Sequence, residues 1–152
     1  MIISASSKGL DLKGKTAQLS LNGGIKIGEF EITGPGEFEI SGTSIVGTPI
    51  GEGTLYNLQM DDMGVLFPVG LTEVPTDEQL DQLMPSDILI VEAAPAEVVS
   101  KLIQKTDVSQ IVVGGNADVE KLKLSGATKA TSLKIDKRSL PEGEPVTTII
   151  TF

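Results

Sequence analysis

Clustered carboxylates are the first residues in this 152-residue chain that could do chemistry. Asp61 and Asp62 stand side by side, and Glu73 follows them in the next stretch. Carboxylate oxygens are the ligands that Ca²⁺ and Mg²⁺ prefer, and such a site needs several of them to converge. The stretch 61–64 is also a typical turn sequence, Asp-Asp-Met-Gly. Turn statistics favour a plain turn over an oxygen-only metal site.

A second candidate is the stretch Gly114-Gly115-Asn116, between a predicted strand and a predicted helix. A helix N-terminus at this point could bind an anion through its backbone N–H groups. The stretch lacks the further glycines and the lysine of a phosphate-binding loop. The sequence therefore favours a structural turn here.

Near the N-terminus, Ser4, Ser6 and Ser7 precede Lys8, and a serine activated by a lysine is a known nucleophile. Neighbours in sequence rarely face each other productively, so this hypothesis ranks below the other two. The chain contains no histidine and no cysteine. It therefore lacks the commonest general base near pH 7, the commonest metal ligand and every thiolate site. The sequence assigns no residue to catalysis, cofactor binding or metal binding.

The elements that would position these residues are organised around residues 29–47. Apolar and acidic residues alternate from Glu29 to Ile32 and again from Glu37 to Ile40, which is the period of a half-buried strand. Gly34-Pro35-Gly36 separates the two runs, and both residue types favour turns. The stretch predicts a β-meander with tight turns.

Short strands are also predicted on either side of this meander, whereas residues 1–8 show only a weak pattern. Alternating apolar residues predict a hairpin over 10–21, a strand at 25–27, and a hairpin over 55–67 with Met60 and Met63 in the core. After Pro68 the pattern changes to strands alternating with helices. Predicted here are helices beginning at Thr76, Pro95 and Ala117, and strands at 87–92, 111–113, 133–135 and 146–151.

Composition narrows the class of protein. The length suits one domain, which we predict to span residues 1–152, and a hydrophobic content of 39% is that of a globular protein. Aromatic residues make up only 3%, so the core must be aliphatic. No apolar run is long enough to span a bilayer, and the N-terminus lacks the pattern of a signal peptide. These features predict a cytoplasmic protein that does not bind membranes.

Charge is unevenly distributed along the chain. Residues 27–100 contain 14 acidic and no basic residues, whereas the two ends together are net positive. Nucleic-acid binding needs clustered lysine and arginine, so the net charge of −9 argues against it. Solubility is the simpler reading of this charge. A complementary surface for a basic partner or for another copy of the chain is the other reading.

The stretch Gly-Pro-Gly-Glu-Phe-Glu-Ile-Ser-Gly at 34–42, followed by Ile45-Val46-Gly47, resembles the metallo-β-lactamase fold. More narrowly, it is similar to small bacterial and archaeal metal-dependent hydrolases related to ascorbate-6-phosphate lactonase. Gly47-Thr48-Pro49 and later segments match that branch in order, so the resemblance covers about residues 29–151. It implies an αββα sandwich.

The metal ligands that the resemblance implies are missing. The family carries H-x-H-x-D-H before the GPGE run, but 22–29 leaves no room for it. Phe67–Gly70 stand where the family has His-Leu-Gly-Asp, and Asn116 stands near the place of the last histidine. None of these replacements can hold zinc in the usual way.

The sequence thus predicts an α/β protein, a trimmed αββα sandwich that is rich in strands and has two or three short helices. By resemblance, it is a catalytically inactive metallo-β-lactamase-like domain that acts through binding or assembly. The alternative is a metal-dependent hydrolase with an atypical or partner-completed site. Loss of a family segment should expose apolar surface, so we expect a homodimer or another protein partner.

Overall fold

The structure is a computed structural model that describes residues 1–114, 117, 119–124 and 126–151. Its first five strands are β1 (Ile2–Ala5), β2 (Leu10–Lys13), β3 (Gln18–Leu21), β4 (Ile25–Ile27) and β5 (Phe30–Ile32). The next four are β6 (Gly36–Ile40), β7 (Thr43–Ile50), β8 (Gly53–Met60) and β9 (Met63–Val69).

Helices and strands alternate in the second half. In order, they are α1 (Asp77–Asp81), β10 (Ile88–Val91), α2 (Ala96–Lys105), β11 (Gln110–Val113), α3 (Val119–Leu122), β12 (Thr128–Ala130), β13 (Ser132–Lys134) and β14 (Val146–Ile150). A 3₁₀ turn, Lys137–Ser139, precedes β14. In the described part of the chain, no helix is both long and apolar enough to cross a membrane.

The strands form two sheets. The first sheet is antiparallel and has six strands in the order β13-β1-β2-β3-β4-β5. The second has eight strands in the order β12-β14-β11-β10-β9-β8-β7-β6. Strands β6 to β9 are antiparallel, and the strands from β9 to β12 along the sheet are parallel.

Two apolar layers hold the fold together. One lies between the sheets and contains residues of both, such as Leu12, Leu58 and Ile90. The other lies between the second sheet and the helices, and it contains Leu89 and Leu102. Since a β-rich sandwich with two or three short helices was predicted, the fold class is confirmed.

The first sheet has no helical cover in the part of the chain that the structure describes. Its outward positions carry polar side chains, among them Asp11, Ser20 and Lys26, which alternate with buried Leu and Ile. Among the described residues, the order of layers is therefore sheet, sheet, helices.

Local sequence signals explain the helices. Gln79 N–H donates to the Thr76 hydroxyl at 3.2 Å, and Thr76 N–H donates to the Gln79 side chain at 2.9 Å. This reciprocal capping box begins α1, as predicted. Helix α2 follows Pro95 and buries Val98, Val99 and Leu102, which confirms its predicted apolar stripe.

The predicted meander over 29–47 is wrong in one respect. Strands β5 and β6 do not pair, because β5 is the edge of the first sheet and β6 is the edge of the second. The Gly34-Pro35-Gly36 stretch carries the chain from one sheet to the other rather than around a hairpin. Alternation is the same whether two strands pair or face each other across a core, so the pattern alone could not decide. The β6–β7 hairpin at Ser41-Gly42 is confirmed.

Two strands were missed. Strand β1 pairs with both β2 and β13, although only Ile3 in it is fully buried. Strand β12 has no fully buried residue and is held by β14. Short strands with few buried positions give no periodic pattern, so their existence depends on pairing with partners distant in sequence.

Candidate functional site

Asp61 and Asp62 form the turn between β8 and β9. Both adopt left-handed backbone conformations, with φ of 53° and 61°, which aspartate tolerates better than most residues. The backbone N–H of Lys15 donates to both Asp61 carboxylate oxygens at 3.1 Å. The N-terminal ammonium lies 3.6 Å from the same carboxylate. Through these contacts Asp61 links the β2–β3 turn and the N-terminus to the second sheet.

Glu73 does not join these aspartates. Its carboxylate packs against Gly51, in the turn between β7 and β8. That turn lies at one end of β8, and Asp61 lies at the other end. Among the described residues, no group of three acidic side chains is placed to hold a metal ion. The structure therefore agrees with the turn interpretation of 61–64, and the oxygen-only site does not assemble.

The serine–lysine hypothesis gains no support from the hydrogen bonds of Ser6, although Ser6, Ser7 and Lys8 line one groove. The Ser6 hydroxyl accepts hydrogen bonds from the backbone N–H groups of Gly9 at 3.0 Å and Lys8 at 3.4 Å. Ser6 thus stabilises the turn that leads into β2. The stretch 114–116 cannot be judged in the same way, because Gly115 and Asn116 lie outside the described residues.

Two of the three places where the family resemblance puts metal ligands, 22–29 and 67–70, meet at one edge of the sandwich, and the third, Asn116, lies outside the described residues. Asn22 and Gly23 follow β3, and they line a cavity of about 200 Å³ together with Phe67–Gly70 from the end of β9. Glu92 and Ala93, which follow β10, complete the described lining. Loops from both sheets thus meet around Glu92, at the carboxyl end of a parallel strand, where α/β sheets commonly bind ligands.

Glu92 is the chemically distinctive residue of this cavity. Only 8% of it is exposed, and its Oε1 atom has no hydrogen-bond partner. The backbone N–H groups of Gly23 and Leu10 face the carboxyl group. Burial raises the pKa of the Glu92 carboxyl, and those two N–H groups oppose the rise. These groups offset part of the free energy needed to bury the ionised carboxyl, but Oε1 remains without a hydrogen-bond partner.

Glycines make room for this side chain. A Cβ atom at Gly9 would lie 2.8 Å from Glu92 Oε1 and would also clash with the carbonyl oxygen of Leu21. At Gly114, a Cβ atom would lie 3.4 Å from Glu92 Cγ. The carboxyl group is therefore held between the start of β2, the end of β3 and the end of β11. Substitution at Gly9 would displace it.

The donor set of the cavity does not fit zinc. Phe67, Pro68, Val69 and Gly70 carry no ligand atoms in their side chains, and Glu92 is the one carboxyl among those lining residues that the structure describes. Zinc sites use three or four nitrogen, sulfur or oxygen ligands. A single carboxyl with a raised pKa can instead donate a hydrogen bond when protonated or attract a cation when ionised.

The sequence did not single out Glu92, although it contained a signal. Ile88-Leu89-Ile90-Val91 is wholly apolar, so this strand is buried on both faces, and the next residue is charged. A residue directly after such a strand lies at the carboxyl edge of the sheet, where ligands commonly bind. Glu92 was predicted only as the last residue of the strand 87–92 and was given no role.

A larger groove adjoins the cavity and shares Asn22 and Gly23 with it. It has a volume of about 480 Å³ and runs along the outer face of the first sheet, past Asp11, Ser20 and Lys26. The Ser20 hydroxyl donates to Asp11 at 2.8 Å, so part of this surface is already paired. Its charges are of both signs, and they do not specify one class of ligand.

Comparisons with known proteins address the fold. No family model matches the sequence, and no curated protein matches it. A solved structure described as a Zn-dependent hydrolase of the metallo-β-lactamase superfamily, from Thermotoga maritima, superposes with a TM-score of 0.75. The match covers 99% of this chain and 100% of that chain at 14% sequence identity. The likeness therefore extends over the whole metallo-β-lactamase-like fold and concerns the fold alone.

Proposed function

We propose that this chain is a catalytically inactive protein on a metallo-β-lactamase-like fold and that it acts through binding or assembly. The observation that carries the proposal is the donor set around Glu92. Where the family resemblance places His-Leu-Gly-Asp, the cavity wall is Phe67–Gly70, and one buried carboxyl faces it. Hydrolysis by this superfamily depends on a metal-activated water, for which these residues offer no cage.

The chemistry of the remaining residues supports the same proposal. With neither histidine nor cysteine in the chain, no imidazole or thiolate ligand can reach this edge from any loop. Glu92 has no second titratable residue beside it in the described lining, so a general acid and base pair is missing too. The cavity is suited to holding a small group against apolar walls, with Glu92 as its polar contact.

The alternative proposal is a metal-dependent hydrolase whose site is completed by a partner. Two observations favour it: Glu92 Oε1 has no partner, and the Thermotoga maritima structure is described as a Zn-dependent hydrolase. In this case Glu92 supplies one ligand, and the others come from a second protein. The proposed partners are accordingly a further copy of this chain or another protein in the cytoplasm.

Elemental analysis distinguishes the proposal from the form of the alternative in which a further copy of this chain completes the site. The chain is purified without chelators, dialysed against Zn²⁺ or Mn²⁺, and compared with Glu92→Gln treated in the same way. We expect no stoichiometric transition metal in either protein, and no phosphodiesterase, lactonase or β-lactamase activity. One or two metals per chain that are lost in Glu92→Gln would overturn the proposal and support the alternative.

A further inference from the structure

The two lateral ends of the sandwich are built alike. At one end the free edges are β5 and β6, joined by residues 33–35, and at the other they are β12 and β13, joined by Thr131. We name residues 29–40 the acidic corner and residues 128–138 the basic corner. Each corner presents the unpaired edges of both sheets, and exposed edges of this kind are templates for pairing with another strand.

Unpaired carboxylates surround the acidic corner. Glu31 on β5 and Glu37 and Glu39 on β6 are exposed, as is Glu29 just before β5. Within the described part of the chain, none of the four takes part in an ion pair or a side-chain hydrogen bond. Lys26 stands opposite Glu31 in the β4–β5 pair but forms no direct ion pair with it, so the four carboxylates remain available to a partner or to solvent.

The basic corner carries the opposite charge. Lys129 on β12 and Lys134 on β13 are exposed, and neither is in an ion pair among the described residues. Lys137 and Arg138 follow, although Lys137 is engaged with Asp87 at 3.0 Å. The two free strand edges at this corner thus each present one available ammonium group.

The charges lie on matching faces of the two sheets. On β6, Glu37 and Glu39 alternate with half-buried residues that pack on the core, so they lie on the outer face of the second sheet. Lys129 lies on the same face, because its neighbour Ala130 packs on that core. Glu31 and Lys134 likewise both lie on the outer face of the first sheet. Joining the corners would place opposite charges in neighbouring strands of each sheet.

Apolar side chains that face the core are also exposed to solvent at the acidic corner. Phe30 shares the core-facing side of β5 with buried Ile32, yet 61% of it is exposed. A groove of about 350 Å³ lies beside it, lined by Ala17, Ile27 and Ile40 among others. An apolar centre with a charged rim is the usual anatomy of a protein interface, and aromatic residues commonly dominate its binding energy.

The signs of the charges decide between two explanations. Charged side chains on edge strands often prevent edge-to-edge pairing, and like charges on both edges would do so. Here the two edges carry opposite signs, so copies attract each other when one copy's acidic corner meets another's basic corner. We infer that the acidic corner binds the basic corner of a second copy, with β5 beside β13 and β6 beside β12.

This contact is heterologous, because the two surfaces lie at opposite ends of the molecule. Each copy keeps one corner free after pairing, so the assembly grows into a ring or an open filament instead of stopping at a symmetric dimer. The inference rests on the assembly role in the proposed function. It can fail while the metal analysis still excludes a hydrolase, and the metal analysis can fail without affecting the contact.

A charge-swap experiment tests the inference. One variant carries Glu31→Lys, Glu37→Lys and Glu39→Lys, and the other carries Lys129→Glu and Lys134→Glu. Each variant alone then has two corners of the same net sign, whereas an equimolar mixture restores opposite net signs at every contact. A control with Glu52→Lys, Asp107→Lys and Glu142→Lys matches the first variant in net charge but leaves both corners intact. Sedimentation velocity measures the mass of each sample from tens to hundreds of micromolar, and circular dichroism verifies folding.

We expect the wild type and the control to exceed the mass of a dimer as concentration rises and to dissociate at high salt. Each swapped variant should stay monomeric, and their mixture should assemble. Phe30→Ser should weaken association roughly fivefold or more while the fold persists. A monomeric wild type over this range, or folded variants whose mixture stays monomeric, would overturn the inference. Assembly of either variant alone to the wild-type extent would overturn it as well.

Discussion

The two sheets of this sandwich differ in how many of their faces are covered. The second sheet is covered on one face by the first sheet and on the other by the three helices, and all four residues of β10 are buried. Within the part of the chain that the structure describes, the first sheet is covered on one face only, so in β3 buried Leu19 and Leu21 alternate with exposed residues. The sequence of β10 is therefore continuously apolar and that of β3 alternates, because only the first sheet has a face open to solvent.

Adjacent residues of β10 should therefore be equally sensitive to truncation. Leu89 packs under the helices and Ile90 packs between the sheets, and both are fully buried. We expect Leu89→Ala and Ile90→Ala each to lower the free energy of unfolding by about 2–5 kcal/mol. Chemical denaturation measures both. A loss below about 1 kcal/mol at Leu89 would show that the helices do not seal this face.

The same contrast explains what could be predicted from the sequence. Alternation identified β2, β3 and β4, and the continuous apolar runs identified β10 and β11, since each pattern reflects local burial. The capping box at Thr76 was also predictable, because its partners lie three residues apart.

Features that depend on distant partners were not predictable. Periodicity cannot tell which sheet a strand joins, so β5 and β6 were predicted to pair although they face each other across the core. Glu92 was missed because its burial comes from loops around Leu10 and Gly23, far away in sequence. The resemblance indicated where ligands were absent, but it did not indicate which residue stands in the cavity instead.

The burial of Glu92, at the edge where the two sheets meet, should make the stability of the fold depend on pH. Burial raises its pKa above the ordinary value of 4.5, so the folded state holds this proton more tightly than the unfolded state does. The stability linked to the group is therefore fully present below pH 4.5 and is lost as pH rises through the folded pKa. Relative to Glu92→Gln, the wild type should become less stable across that window.

Thermal unfolding of both proteins between pH 4 and pH 8 measures this difference. Because Glu92→Gln keeps the size of the side chain but does not titrate, the other carboxyl groups cancel in the comparison. A wild type that gains stability over the variant as pH rises would contradict a raised pKa. That outcome would also mean that the N–H groups of Leu10 and Gly23 outweigh burial.

Helix α1 provides a smaller test of the helical cover. The Thr76 hydroxyl accepts from Gln79 N–H, and α1 places Leu80 in the layer above the second sheet. We expect Thr76→Ala to cost about 1 kcal/mol, because one N–H group at the helix start loses its partner. Thr76→Ser keeps the hydroxyl and should cost less in the same urea titration. Equal losses in the two variants would place the effect in the threonine methyl group instead of the cap.

The smallest effect is expected on the open face of the first sheet. Ser20 is exposed on β3 and donates to Asp11 across the β2–β3 pair at 2.8 Å. Water can replace that hydrogen bond at little cost, so Ser20→Ala should change the free energy of unfolding by less than about 0.5 kcal/mol. Leu19→Ala, one position away on the core face, should lose several times more. If Ser20→Ala instead costs well over about 1 kcal/mol, and more so at high protein concentration, something covers this face in solution. The first sheet would then have an open face only in the isolated chain, and both sheets would be covered on both faces in the assembled form.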